Sequence, residues 1–309
     1  MSAHASSASR SEQDEKLPIT ETPVRRMVRE FMASPLAVSG LVVLSVLSLL
    51  AIFGPFIVPQ NPYDLMQLDI MDSQLEPGAQ SVAGMTYWLG TDDQGRDMLS
   101  GIIYGLRTSL GVGVISALVA ALIGTSIGIY AAYAGGRTEN LIMRVIDLQL
   151  SFPTILVALM ILAFMGRGVM NVILALIIVE WSTYARTARG VALVERRKEY
   201  IEAAESLVIP RWRVLFKHLL PNCLPPLIVI ATVQVGRSIT LEATLSFLGL
   251  GVPITEPSLG LLISNGYQYM LSGKYWISLY PGIMLLVIIV AINLVGDQLR
   301  DVVNPRRQA

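Results

Sequence analysis

Charge is scarce in this chain. Asp, Glu, Lys and Arg supply 15% of its 309 residues, against about 25% in soluble domains, and that shortage excludes an ordinary soluble fold. Cysteine is scarcer still: the single thiol, Cys223, excludes an intrachain disulfide framework and a cysteine-based metal cluster. The two histidines, His4 and His218, stand far apart and fit no metal-ligand spacing. A Gly-x-x-x-x-Gly-Lys-Ser/Thr phosphate loop is missing, so any ATP hydrolysis that powers this chain belongs to another polypeptide. A secretory signal is missing too, because the first apolar run starts near residue 36, too deep for cleavage. It reads as an uncleaved span. No internal repeat of the inverted kind that marks secondary transporters is visible.

Apolar length is what the chain has in abundance. Hydrophobic residues make up 53% of it, and mean hydropathy is +0.58. A helix that crosses a bilayer needs about 20 mostly apolar residues. Six stretches qualify: 36–58, 108–134, 142–166, 169–188, 223–247 and 276–297. The expected fold is therefore all-α, a polytopic membrane protein with six transmembrane helices. The third stretch is the weakest, since Arg144 and Asp147 lie in its first turns and Pro153 interrupts it.

Lys and Arg set the orientation. Arg10, Lys16, Arg25, Arg26 and Arg29 precede the first span, and Arg300, Arg306 and Arg307 follow the last. Between the fourth and fifth spans lie Arg186, Arg189, Arg196, Arg197, Lys198, Arg211, Arg213 and Lys217, whereas the 59–107 connection is acidic. Positively charged loops stay inside, so both termini are expected in the cytoplasm. The layout is then a cytoplasmic tail over 1–35, its first 22 residues disordered by composition, a first span over 36–58, and an extracytoplasmic connection over 59–107. A five-helix core over 108–297 and a cytoplasmic tail over 298–309 complete it. Within the core, 189–222 forms a cytoplasmic segment.

That segment breaks the apolar pattern. Glu195 to Leu207 reads as a helix, with Ala203 and Ala204 at its most helix-favouring positions. Ile201, Ala204 and Val208 give one apolar stripe. Pro210 suits the first turn of a second helix, Arg211 to Leu220, which Pro221 is expected to end. As a generic surface loop this would need only its own ion pairs. Alternatively, its small residues let another protein approach closely, while Glu202 and Arg211 make polar contacts.

Glu202-Ala203-Ala204 with Leu219-Leu220-Pro221 resembles the EAA motif of ABC-importer permeases. Other stretches resemble the dipeptide/oligopeptide/nickel branch of that family: Trp88-Leu89-Gly90-Thr91-Asp92-Asp93-Gln94-Gly95-Arg96-Asp97, Arg144-Val145-Ile146-Asp147, and Ser246-Phe247-Leu248-Gly249-Leu250-Gly251. Gly296-Asp297 closes the series, and the likeness runs from about 85 to 309. It implies the type I importer permease fold, as the second permease subunit of a peptide-class importer in a bacterial inner membrane. It further implies a homologous permease as partner, two ATPase subunits that carry ATP and Mg, and an extracytoplasmic binding protein. No nucleic acid is implied. Glu202, Ala203, Ala204, Val208, Arg211, Leu220 and Pro221 would form the segment that docks on the ATPase. The family usually has glycine where Val208 stands. A β-branched residue with positive φ is a steric outlier, so the bend is expected to close through Ile209-Pro210 instead.

Glu180 lies mid-span in the fourth stretch and Arg237 mid-span in the fifth, with Glu242 further along the fifth. A charge at bilayer centre costs about 3 kcal/mol on insertion scales. Glu180 and Arg237 fall at similar depth and are expected to pair, either to orient the bundle or to contact substrate. Glu242 suits helix packing or attraction of a peptide amino group. Asp92, Asp93, Gly95 and Asp97 have the wrong acid spacing for a calcium loop and suit capping and tight turns. Rival readings are a secondary transporter with Glu180 or Glu242 as proton carrier, or an intramembrane enzyme, for which no nucleophile–base set is visible. Dipeptides, longer peptides, glutathione, nickel chelates and opines all remain open as cargo.

Overall fold

The structure, a computed structural model, describes residues 23–81 and 84–303. His4, Arg10, Lys16, Arg306, Arg307 and the expected disordered tail over 1–22 lie outside the described residues. The chain opens with α1 (Pro23–Met32) and α2 (Pro35–Phe53). Ser34 Oγ accepts from the Ala37 amide and Pro35 occupies the first turn, so the entry to α2 is capped as its sequence dictates. Next come a two-stranded ribbon, β1 (Ala79–Gln80) with β2 (Thr86–Tyr87), and the long helix α3 (Met98–Ala134). The remaining helices are α4 (Gly136–Leu150), α5 (Thr154–Met165), α6 (Val169–Arg196), α7 (Glu199–Ser206), α8 (Arg211–Arg213), α9 (Leu220–Phe247), α10 (Leu259–Tyr267) and α11 (Trp276–Val303). Among the described residues, five helical stretches are long and apolar enough to cross a bilayer, and a sixth appears if α4 and α5 count as one bent span.

The start of the second span and the course of the third differ from the sequence expectation. The second long helix starts at Met98 rather than near 108, because Asp97 caps it. Its Oδ2 accepts from the Ser100 amide at 2.8 Å and from the Ser100 hydroxyl at 2.6 Å. The stretch 142–166 is not one straight span: α4 and α5 meet at 85°. Pro153 has no N–H to donate and disfavours helical backbone before it, so the ladder breaks at Ser151–Pro153. α4 keeps its charges for α6, through a Glu139–Arg189 ion pair at 2.6 Å and an Asp147–Arg186 pair.

α3 and α6 form the tightest seam. Gly124 and Gly128 lie one turn apart on α3. A Cβ at Gly128 would stand 2.2 Å from the Ala185 carbonyl oxygen, and one at Gly124 would stand 2.3 Å from that of Trp181. Two backbones therefore touch where a side chain would hold them apart, the small-x-x-x-small packing of membrane helices. Above it, Ala158, Val172, Ala175, Leu176 and Leu245 fill the gap between α5, α6 and α9. At the other end, Ala132, Ala188, Ala192, Ile201, Ala204 and Leu219 tie α3 and α6 to α7 and the start of α9.

The 88–97 motif is a structural lock for the connection before α3. Asp92 Oδ2 accepts from Arg96 Nε at 2.6 Å, both side chains being almost fully buried, while Oδ1 accepts from the Gln94 and Arg96 amides at 2.9 Å each. Gly90, at φ +77, has a Leu75 carbonyl oxygen only 2.7 Å from where its Cβ would be. Trp276 Nε1 donates to the Thr91 carbonyl at 3.1 Å and pins the motif to α11.

Candidate coupling interface

α7 is short, yet its end is specified in detail. The Ile209 amide donates to the Ala204 carbonyl at 3.3 Å and the Leu207 amide to that of Ala203 at 3.0 Å. Val208 lies between them at φ +54. This is the Schellman helix end, which needs a left-handed residue one position past the cap. The same motif ends α9, where Leu250 N–H donates to the Leu245 carbonyl at 3.1 Å and Gly249 sits at φ +78. The expectation that a valine would force a different closure is thus corrected. Val208 takes the left-handed conformation itself, because the six-residue hydrogen bond and the packing of Ala204 hold it there. Strain of this kind persists only where the surroundings over-determine the backbone.

A left-handed L-residue costs about 1–2 kcal/mol, partly offset by the extra chain entropy of glycine, about 0.5–1 kcal/mol. Val208→Gly should therefore slow hydrogen exchange of the Ile209 amide by about two- to fivefold. Faster exchange would show that the valine is not strained.

The expected apolar stripe of Ile201, Ala204 and Val208 splits for the same reason. Ile201 and Ala204 are buried against the bundle, whereas Val208, past the helix end, is 86% exposed. Leu207, Trp212 and Phe216 are exposed in the same segment, as are Glu202, Ala203 and Arg211. Tyr200 anchors the base. Its hydroxyl donates to Glu195 Oε2 at 2.9 Å, and burial together with that carboxylate pushes its pKa up to about 12. A cleft of about 810 Å3 runs behind Val208, between Tyr133, Arg196, Pro210, Trp212 and Leu215. Arg196 stacks over the Tyr133 ring at 5.5 Å and donates to the Ala132 carbonyl at 2.9 Å, fixing the wall of that cleft.

Pro221 does not end a separate helix, contrary to the sequence expectation. α8 passes through a π-helical stretch, Val214–Leu219, directly into α9, so Arg211–Phe247 is one 37-residue unit. The wider π turn leaves room for the donor-less Pro221 in the first turn of α9. Leu220 is half-buried and Pro221 exposed at this junction.

Among the intramembrane residues the geometry departs further from expectation. Glu180 does not pair with Arg237. Its Oε2 accepts from the Ser238 hydroxyl at 2.5 Å, while Arg237, exposed on the next position of α9, reaches Thr154 Oγ1 at 3.4 Å. Adjacent helix positions diverge by about 100°, so the residue facing Glu180 is Ser238. Glu180 Oε1 and the Tyr184 hydroxyl on α6, and Gln234 Nε2 on α9, are buried without a hydrogen-bond partner among the described residues. Glu242 is sealed inside the bundle, its two oxygens accepting from Ser109 and Ser246 hydroxyls at 2.7 Å each. It joins α3 to α9, and in this conformation its carboxylate is not exposed to a substrate amino group. The charge and hydropathy pattern of the sequence singles out neither the serine partners nor the Gly124–Gly128 seam. The Gly-x-x-x-Gly spacing was the available signal for the seam.

The structure is thus a helical, mostly apolar bundle with a charged, exposed helical elbow at one end. The chain belongs to the family described as the binding-protein-dependent transport system inner membrane component, which matches residues 124–309. The N-terminal TM domain of oligopeptide transport permease C matches residues 22–77. The chain is 34% identical over 281 residues to the probable D,D-dipeptide transport system permease protein DdpC of Escherichia coli K12, covering 91% of each. It is also 34% identical over 285 residues to the glutathione transport system permease protein GsiD of Pectobacterium atrosepticum, covering 92% of each. Among solved structures, the inward-facing MetNI methionine ABC transporter gives a TM-score of 0.56 at 21% identity. That match covers 66% of this chain and 97% of that one, and it shows the shared fold. The protein is accordingly a permease subunit of an ATP-driven importer that works with ATPase and substrate-binding partners.

Proposed function

We propose that this permease imports peptides and lines half of the pathway, the other half coming from a homologous permease subunit. Two ATPase subunits bind ATP and Mg in the cytoplasm, where both termini lie, and an extracytoplasmic binding protein delivers cargo across a bacterial inner membrane. The observation that carries the reading is the outward face of Glu199–Leu220. Glu202, Ala203, Leu207, Val208, Arg211 and Trp212 are exposed there, at the Arg- and Lys-rich end of the bundle. Closure of the ATPases on ATP pushes this elbow. Its buried side, Ile201, Ala204 and Leu219, passes the push to α3, α6 and α9.

Arg237 supports the pathway. It is exposed midway along α9, and an arginine facing hydrocarbon would cost about 3 kcal/mol or more. Facing an aqueous pathway or the second permease removes that cost. Peptide cargo is supported by the relatives, several of which are named as dipeptide permeases. Uptake of labelled dialanine by cells expressing the complete transporter tests it. Competition by other dipeptides is expected; competition only by glutathione or nickel chelates would overturn the peptide assignment.

A further inference from the structure

The end of the bundle remote from Glu199–Leu220 holds a second cavity, of about 290 Å3. Tyr63, from the connection after α2, and Tyr104, on α3, form one wall, their rings edge to face at 5.2 Å. Val169 and Ile173 of α6 form an apolar wall. Gly111 leaves the floor open, since a Cβ there would meet nothing within 4 Å. Two opposite charges line the same space: Arg107, exposed on α3, and Glu256, half-buried in the α9–α10 connection. Both line the cavity together with Tyr63, yet neither has an ion-pair partner among the described residues.

A cation and an anion that line one aromatic pocket without pairing to each other complement a molecule that carries both charges. Ligand pockets span about 300–1,000 Å3, so this one is at the small end and suits one or two residues rather than a long chain. We propose that the cavity is a subsite for short zwitterionic peptides, with Arg107 meeting the terminal carboxylate and Glu256 the terminal ammonium. The proposal rests on the peptide reading above and, with the orientation given there, places the subsite at the extracytoplasmic mouth. A guanidinium matches a carboxylate with two parallel donors. The tyrosine edges cover the peptide backbone between the two ends.

The test uses the complete transporter with its own binding protein, reconstituted in phosphatidylglycerol liposomes. Import is measured for dialanine, dialanine amide and N-acetyl-dialanine. Because the binding protein is constant, any change in preference between these peptides belongs to the permease. Arg107→Gln should shrink the preference for dialanine over its amide by about five- to tenfold and leave that over the N-acetyl form unchanged. Glu256→Gln should do the reverse. A phosphatidylethanolamine headgroup offers the same pair of charges. If both variants slow all three peptides equally, and only when that lipid is added, the cavity holds lipid and the subsite is overturned. Unchanged preferences in both variants overturn it alone. No import of any of the three by the parent complex overturns the peptide reading, and the subsite with it.

Discussion

Lysine in place of Glu202 should leave the chain in the membrane but strip it of its ATPase. Glu202 is exposed on α7, and its carboxylate has no side-chain partner among the described residues. The substitution therefore has little to break inside the fold, and exposed changes of this kind stay within about 0.5 kcal/mol of neutral. At an interface the outcome differs. Reversing one charge leaves its partner facing a like charge, and losing one side of a desolvated pair costs about 2–5 kcal/mol. Arg197, Lys198, Arg211 and Arg213 are close in sequence, so the lysine also adds to a cationic surface. ATP-driven uptake should fall by about thirtyfold or more, with the ATPase lost from the affinity-purified permease and membrane levels unchanged. Glu202→Gln should retain part of both. Full uptake and association in the lysine variant would remove Glu202 from the coupling surface.

Gly128→Leu should prevent stable assembly of the bundle. Its Cβ alone would approach the Ala185 carbonyl oxygen to 2.2 Å, and a backbone atom in a helix cannot rotate aside. α3 and α6 must separate along the seam, which opens the packing of Ala132, Ala188 and Ala192 beneath it. Overpacking costs about 1–3 kcal/mol even where side chains can adjust, and here the obstacle is main chain. The detergent-purified protein should melt at least several degrees lower, with Gly128→Ala in between. Gly190→Ala, where a Cβ meets nothing within 4 Å, is the control and should melt no lower than the parent. Equal melting of Gly128→Leu and the control would show that the seam is not in contact.

The apolar runs and their order were legible because membrane helices announce themselves by length and hydropathy. The elbow was legible because eight basic residues interrupt two such runs. Other features depend on three-dimensional partners that a linear pattern does not hold. Val208 looked unable to adopt positive φ, yet tertiary contacts of Ala204 and Ile209 impose it. Glu180 and Arg237 lie at similar depth, but the helical rotation between positions 237 and 238 brings Ser238, not Arg237, to the carboxylate. Pro221 reads as a stop in sequence. A π turn, invisible to hydropathy, carries the chain past it.

This chain should move cargo only as the membrane half of an ATP-driven machine. Proteoliposomes containing the permease pair and ATPases, with binding protein outside and ATP inside, test it directly. Uptake should require both ATP and binding protein and should persist when an uncoupler collapses the proton gradient. Uptake by this chain alone, lost on uncoupler addition and indifferent to ATP, would contradict the account.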